Sequence, residues 1–389
     1  MLVIQNATIY TMAGDIIQNG TICMEGGKIT DVGTDCSIAS DAEIIDAEGK
    51  LVFPGFIDAH CHIGMWEEGI GFEGADGNEK TDPLTPQLRA EDAINPRDEA
   101  FRNAVCGGVT TAATGPGSAN VVGGTFVVMK LHGDRIDDMV IKSPLAMKCA
   151  FGENPKRSYN ERRQTPTTRM GIAALLRELL LKTIAYEAKI EAAKEDLSKM
   201  PAYDMKLEAM RPVIRKEMPL KAHAHRADDI FTAIRIAKEF DLKLTLEHCT
   251  EGHLIATHLA KEAYPAIVGP SFGNKSKFEL NQKTFETADA LYRAGVKIAI
   301  MTDSPVTPLE SLPMCAALAH KAGLPMLEAL KCITINPAEI LGISERLGSI
   351  ETGKDADVVI WDGHPFDLQA SVAYTIINGN IVYERTQRG

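Results

Sequence analysis

Two histidines, His60 and His62, stand one residue apart at the end of the apolar stretch PGFIDAHCHIG. Side chains alternate faces along a β-strand, so residues i and i+2 point the same way and can grip one ion together. This is metal-ligand spacing, although two such histidines can also line a solvated edge. The chain supplies more donors of the same kind. His223 and His225 share a face in KAHAHRADD, and His248 ends the strand-like run in TLEHCTEGH. His223 and His248 are assigned as ligands, leaving His225 for substrate; the reverse choice between His223 and His225 stays open. Asp303, in VKIAIMTDSP, is the carboxylate that closes an apolar run and needs a partner, either a divalent ion or the start of a helix after Ser304. Lys148 lies inside PLAMKCAF, where a bare ammonium is costly to bury unless paired or chemically modified. Carboxylated by carbon dioxide, it becomes an anionic oxygen donor able to bridge two cations. The plainer readings are a snorkelling lysine or one paired with Glu153, and Lys130 or Glu153 are rivals for the bridge.

These residues fall at the ends of apolar runs. Eight such runs, GFIDAHCH, VTTAATG, TFVVMKL, PLAMKCAF, PLKAHAH, LKLTLEHCT, PAIVGPSF and VKIAIMTD, alternate with helical stretches between residues 54 and 344. That alternation predicts an α/β fold, a (β/α)8 TIM barrel of parallel strands with functional groups at the strand C-termini. Both chain ends read instead as short strands with NG and GG turns, predicting a small discontinuous β-sandwich domain from 1–53 and 345–389. Two segments interrupt the barrel pattern. Residues 64–96 form a Gly-rich acidic loop placed to act as a lid, and 168–216 carry strong helix formers that predict a helical insertion. GPGSANVVGG lacks the order and the Lys-Ser/Thr ending of a phosphate cradle and reads as a tight loop.

The 389 residues are 45% hydrophobic, enough for a sizeable core. A formal charge of -12 argues against a nucleic-acid partner, whose binding needs clustered Lys and Arg. Without a run of eighteen apolar residues or a basic, apolar N-terminal leader, the chain reads as a cytoplasmic protein with no membrane partner. Its eight cysteines form no CxxC pair, so reduced thiols are expected.

With these residues in place, the chain resembles the amidohydrolase superfamily, within it the imidazolonepropionase-like and Xaa-dipeptidase (prolidase-like) branch. The resemblance rests on PGFIDAHCH, GGVTT, HAH, EH, TDSP and TINPAEILGISERLGSIETGKDADVVIWDG, and covers essentially the whole chain. It implies two divalent ions, with zinc the expected identity. His60, His62 and Asp303 would hold the more buried ion, His223 and His248 the other, and carboxylated Lys148 would bridge them. It also implies a homo-oligomer. One departure bears on function. Imidazolonepropionase and many one-metal deaminases carry Glu three residues after the fifth-strand histidine, where this chain has Arg226.

Two cations sharing a water lower its pKa toward neutrality and provide a bridging hydroxide, while the less buried ion polarises the substrate carbonyl. Asp303 would take the proton and pass it to the leaving amine. The expected reaction is cleavage of an amide C–N bond in a small peptide-like, N-acyl or cyclic amide substrate. Arg157, Arg163, Arg169 and Arg226 offer partners for a substrate carboxylate, and Trp66 is placed to wall the pocket. The competing readings are a mononuclear deaminase or lactone-type hydrolase, in which Lys148 is an ordinary lysine, and a non-catalytic scaffold, against which the intact donor set argues.

Overall fold

The computed structural model describes residues 1–194 and 196–385; residue 195 of the helical insertion and 386–389 of the C-terminal segment lie outside the described residues. Five strands open the chain: β1 (Leu2–Ile9), β2 (Ile17–Glu25), β3 (Lys28–Gly33), β4 (Glu43–Asp46) and β5 (Leu51–Pro54). Eight more follow: β6 (Phe56–Cys61), β7 (Val109–Thr114), β8 (Val122–Lys130), β9 (Val140–Ala150), β10 (Leu220–Ala224), β11 (Leu244–His248), β12 (Ala266–Val268) and β13 (Ile298–Ile300). The last three are β14 (Val358–Trp361), β15 (Val372–Ile377) and β16 (Asn380–Glu384).

The middle eight pair in sequence order from β6 to β13, as the apolar runs predicted. The sheet is a nearly closed barrel. Its seam is bridged by Asp58, whose carboxylate accepts from the Thr302 amide at 2.8 Å and hydroxyl at 2.7 Å, and by the His62 amide donating to Ser304 at 2.7 Å. The expectation of an all-parallel barrel needs one correction, because β8 runs antiparallel to both β7 and β9. The physical reason is length: the loop from Gly115 to Val121 can turn the chain back but cannot carry a parallel crossover, which takes a dozen or more residues.

This reversal decides between two lysines. Lys130 ends β8 opposite Thr111, near the start of β7, whereas Lys148 lies near the end of β9. They occupy opposite rims. Lys130 Nζ pairs with Asp355 at 2.8 Å and Asp357 at 2.9 Å and also bonds Asn378, so it is committed to the C-terminal segment and unavailable as a bridge between the strand-end histidines.

The strands at the two chain ends form one hydrogen-bonded sheet, β16-β15-β14-β5-β1-β2-β3, with β4 also on β1. Antiparallel pairing of β14 with β5 joins the two ends of the chain, as expected. The pairing gives a single continuous sheet with its own apolar cluster around Ile4, Ile22 and Ile360, and does not separate the two layers of the predicted sandwich. The helical insertion takes the form of a helix over Arg169–Ala193, capped by Thr168 accepting from the Gly171 amide, followed by one over Met205–Ile214. Leu176, Leu180 and Val213 bury its apolar stripe, and Glu187 ties the two helices through Arg211 at 2.5 Å. All eight cysteines are unpaired. Among the described residues no helix is long and apolar enough to cross a membrane.

Lys130 is buried against two carboxylates, so removing its charge strands both. Lys130→Met is expected to destabilise the fold by about 3–5 kcal/mol in urea unfolding. A loss below about 1 kcal/mol would mean that water already screens the cluster.

Candidate metal centre

The strand alternation delivers the donors to one rim of the barrel. Asp58, His60 and His62 follow the i, i+2, i+4 spacing of one face of β6 and its extension, as do Lys221, His223 and His225 on β10. His248 and Asp303 reach the same space by a different route. Their φ angles are +71° and +55°, and that of Cys249 is +48°, all left-handed conformations costly for residues with a Cβ. The turn at His248 lets the consecutive residues Glu247 and His248 both serve the barrel interior.

Two groups of donors result. His60, His62 and Asp303 form one, and His223, His225 and His248 the other; within each, one atom from every residue lies within 4.8 Å of the others. His62 Nε2 is 3.1 Å and His60 Nε2 3.6 Å from Asp303 Oδ1. The His60 and His248 rings, one from each group, are 5.4 Å apart. Lys148, fully buried, lies beside them with Nζ 3.0 Å from His60 Nε2.

Hydrogen bonds outside the centre fix which nitrogens face inward. His62 Nδ1 bonds the Gly115 carbonyl at 2.7 Å and His248 Nδ1 the Gly269 carbonyl at 2.8 Å. A carbonyl only accepts, so these Nδ1 atoms carry the proton and Nε2 keeps its lone pair. His60 Nδ1 is held by Glu247 at 2.7 Å and His225 Nδ1 by Thr250 at 2.7 Å. Left without any protein partner are the buried atoms His223 Nδ1, His248 Nε2 and Asp303 Oδ1. Buried lone pairs gathered in this way suit a cation, and imidazole with carboxylate fits a first-row divalent ion.

Electrostatics agree. Burial holds His60, His223 and His225 well below the usual histidine range and His248 at about 4, so the rings are neutral at pH 7 and can donate electron pairs. Burial pushes Asp303 up, but His248, His62 and Lys148 outweigh it and keep the carboxyl at about 2. Burial also lowers Lys148 to about 8 against the pull of Asp303 and Glu247, so roughly a tenth of it is neutral amine at pH 7.

The centre opens into a cavity of about 580 Å³. Trp66 lines it, edge-on to His62 at 5.1 Å, with its indole held between Gly77 and Gly117, where an added Cβ would come within 1.8 Å and 2.9 Å of the ring. The predicted arginines lie elsewhere. Arg157 is exposed and pairs with Glu153, Arg226 pairs with Asp228 at 2.9 Å, and Arg169 with Asp229 at 3.0 Å. None of these, nor Arg163, lines the cavity among the described residues. Glu153 is turned to Arg157 and the Glu279 amide, so it is not a rival for the bridge.

Several residues escaped the sequence reading. Glu247 holds His60 and pairs with the buried Lys221 at 3.0 Å; its signal was a carboxylate within an apolar strand, directly before His248. Glu279, from the loop after β12, sits 3.7 Å from both His223 Nε2 and His225 Nε2 and had no such signal. Gly152, at φ +81°, makes room for it, since a Cβ there would stand 2.7 Å from Glu279 Oε2.

A ring whose folded pKa is depressed contributes stability that is complete above the unfolded value near 6.5 and declines as pH falls. In ion-free protein, the ring NMR signals of His60, His223 and His225 are therefore expected to stay in the neutral form at pH 6, with His248 titrating at about 4. A His248 midpoint at 6.5 would show a ring open to water.

The amidohydrolase family pattern matches residues 51–382. A solved amidohydrolase from Thermotoga maritima is 45% identical and superposes with a TM-score of 0.96, covering 99% of this chain and 100% of that one. Amidohydrolase tasK of Hapsidospora irregularis is 30% identical over 371 residues; the match takes in 89% of this chain but 38% of that longer protein. Imidazolonepropionase of Sphingopyxis alaskensis is 24% identical over 362 residues, 88% of this chain and 86% of the relative. The resemblance read from the motifs is thus borne out, and the non-catalytic alternative falls away. The family generally works with divalent metals on small molecules, as the donor groups suggest. This chain belongs to the amidohydrolase family and is an enzyme that hydrolyses carbon–nitrogen bonds.

Proposed function

We propose that the protein hydrolyses an amide C–N bond of a small peptide-like, N-acyl or cyclic amide with the help of two divalent ions, zinc being the expected identity. The observation that carries this reading is the meeting of two three-donor groups beside one buried lysine. His60, His62 and Asp303 would hold one ion. His223 and His248 would hold the other, with the unpartnered buried His223 Nδ1 in favour of His223 and His225 left for the substrate. Lys148, in its neutral fraction, has the lone pair that attacks carbon dioxide, and the carboxylated side chain would bridge the two groups. Ions bound here would polarise the substrate carbonyl and bring a water close to neutral pKa.

The rest falls to side chains of the chain. Asp303, an acceptor in the mouth of the cavity, would receive the proton of the attacking water and deliver it to the departing amine. Glu247 and the Gly115 and Gly269 carbonyls keep the histidine lone pairs aimed inward, so that no tautomer change is needed when an ion arrives. Trp66 would form an apolar wall against the substrate beside His62. A cavity of about 580 Å³ suits a ligand of this size.

A mononuclear reading has one observation in its favour: His223, His225 and His248 already make a three-donor site without Lys148. Arg226, engaged with Asp228, supplies no proton-transfer group to it. Ion counting separates the two. The binuclear reading expects two ions per chain and activity that depends on bicarbonate during reconstitution; one tightly held ion and ammonia release would favour the rival. Asp303→Ala is expected to fold normally and lower kcat at least about a thousandfold across an amide panel. A near-native rate would remove Asp303 from the chemistry. Glu247→Gln is expected to weaken ion binding by about 10- to 100-fold in competitive chelation, and unchanged affinity would show that His60 needs no such support.

A further inference from the structure

We propose that Lys277 receives a carboxylate of the substrate, so that the amide hydrolysed here carries an anionic group at the end away from the scissile bond. This rests on the reading of the cavity as the amide-hydrolysing site. Of the four arginines offered by the sequence for that task, Arg157, Arg169 and Arg226 have other partners and none lines the cavity, whose wall holds lysines instead. Lys277 and Lys283 both line it, and Asp303 is the only carboxylate lining it among the described residues.

The two lysines differ in what their ammonium groups have left to give. An ammonium carries three donors. Lys283 Nζ is surrounded by three backbone carbonyls, of Gly273 at 2.8 Å, Asn274 at 2.9 Å and Phe272 at 3.5 Å, which account for all of them. It pins the loop. Lys277 Nζ donates to Asn154 Oδ1 at 3.0 Å and pairs with Glu279 Oε1 at 2.8 Å, which leaves at least one of its three donors untaken on a side chain that lines the cavity.

Those same contacts fix the ammonium in space before any ligand arrives. Glu279 is anchored by the Glu153 amide at 2.9 Å, and Asn154 by donating to Ser118 Oγ at 2.7 Å. Lys277 is therefore a pre-ordered cation, and binding to it needs little further loss of side-chain freedom. It is also at the right depth, because Glu279 Oε1 lies 3.7 Å from the nearest nitrogens of both His223 and His225. A substrate whose carbonyl faces the histidines can place a carboxylate on Lys277 without leaving the cavity. One remaining N–H favours a single charge-assisted bond, unlike the two-pronged grip of an arginine.

The test uses matched probes on ion-free protein, where hydrolysis does not interfere, and then on the zinc-loaded enzyme. N-acetyl derivatives of glycine, leucine, phenylalanine and proline are titrated against their carboxamide counterparts, with binding read from tryptophan fluorescence, to which Trp66 in the cavity contributes. At least one free acid is expected to bind about 10- to 100-fold tighter than its carboxamide, the range for a hydrogen bond to a charged group. Lys277→Met should erase that preference, and Lys277→Arg should restore most of it. With loaded enzyme the same loss should appear in KM more than in kcat. Equal affinity for acid and carboxamide in the wild type, including no measurable binding of any probe, overturns the assignment, as does a preference that survives Lys277→Met. A carboxylate preference without hydrolysis of any amide would instead overturn the proposed reaction and leave Lys277 its role.

Discussion

The inward lone pairs of His60, His62, His225 and His248 exist because an oxygen outside the centre holds the opposite nitrogen of the same ring. The Gly115 and Gly269 carbonyls are backbone atoms of loops that follow β7 and β12, so the orientation of His62 and His248 is set by the course of the main chain. His60 depends on Glu247, and Glu247 in turn on Lys221 and on Thr245, whose hydroxyl donates to it at 2.5 Å. Buried charges inside the barrel are thus linked in a chain, with Phe126 packed under both Lys148 and Lys221. Such a network is stable only when every member has a counterpart, which ties the packing of the barrel interior to the geometry of its rim.

The reversed strand β8 organises the charges on a larger scale. By turning back, it sends Lys130 to the rim that meets the terminal sheet while Lys148 on the adjacent strand stays with the histidines. One lysine is satisfied by Asp355 and Asp357; the other stands beside His60 without a salt-bridge carboxylate among the described residues. Two lysines near the ends of apolar runs thus meet opposite rims of the barrel through strand direction.

Much of this was legible in the residues. All eight barrel strands, the union of the two chain ends and the helical insertion followed from apolar periodicity and turn signals, because each is a local pattern. The pairs His60/His62 and His223/His225 were legible as i and i+2 donors on one strand face, and Lys148, His248 and Asp303 as polar residues within or closing apolar runs. Direction was harder. The pairing of β8 depends on loop length between neighbours, and a single eight-strand sheet differs from a sandwich only in long-range pairing. Glu279 and Lys277 come from an irregular segment after β12, where no period signals which side chains turn inward, and Arg157, Arg169 and Arg226, preferred by chemistry alone, were taken up by nearby carboxylates.

The wedge of the Trp66 indole between Gly77 and Gly117 has a consequence for how this enzyme can diversify. The breadth of the chamber next to His62 is governed by two backbone positions that contribute no side chain, both outside the set of ion-facing residues. A methyl added at Gly77 would meet the indole at 1.8 Å, and one at Gly117 would meet Asn78 at 2.5 Å and the indole at 2.9 Å, so either would reshape the chamber. The width of the chamber and the placing of the donor atoms thus rest on different residues of the chain.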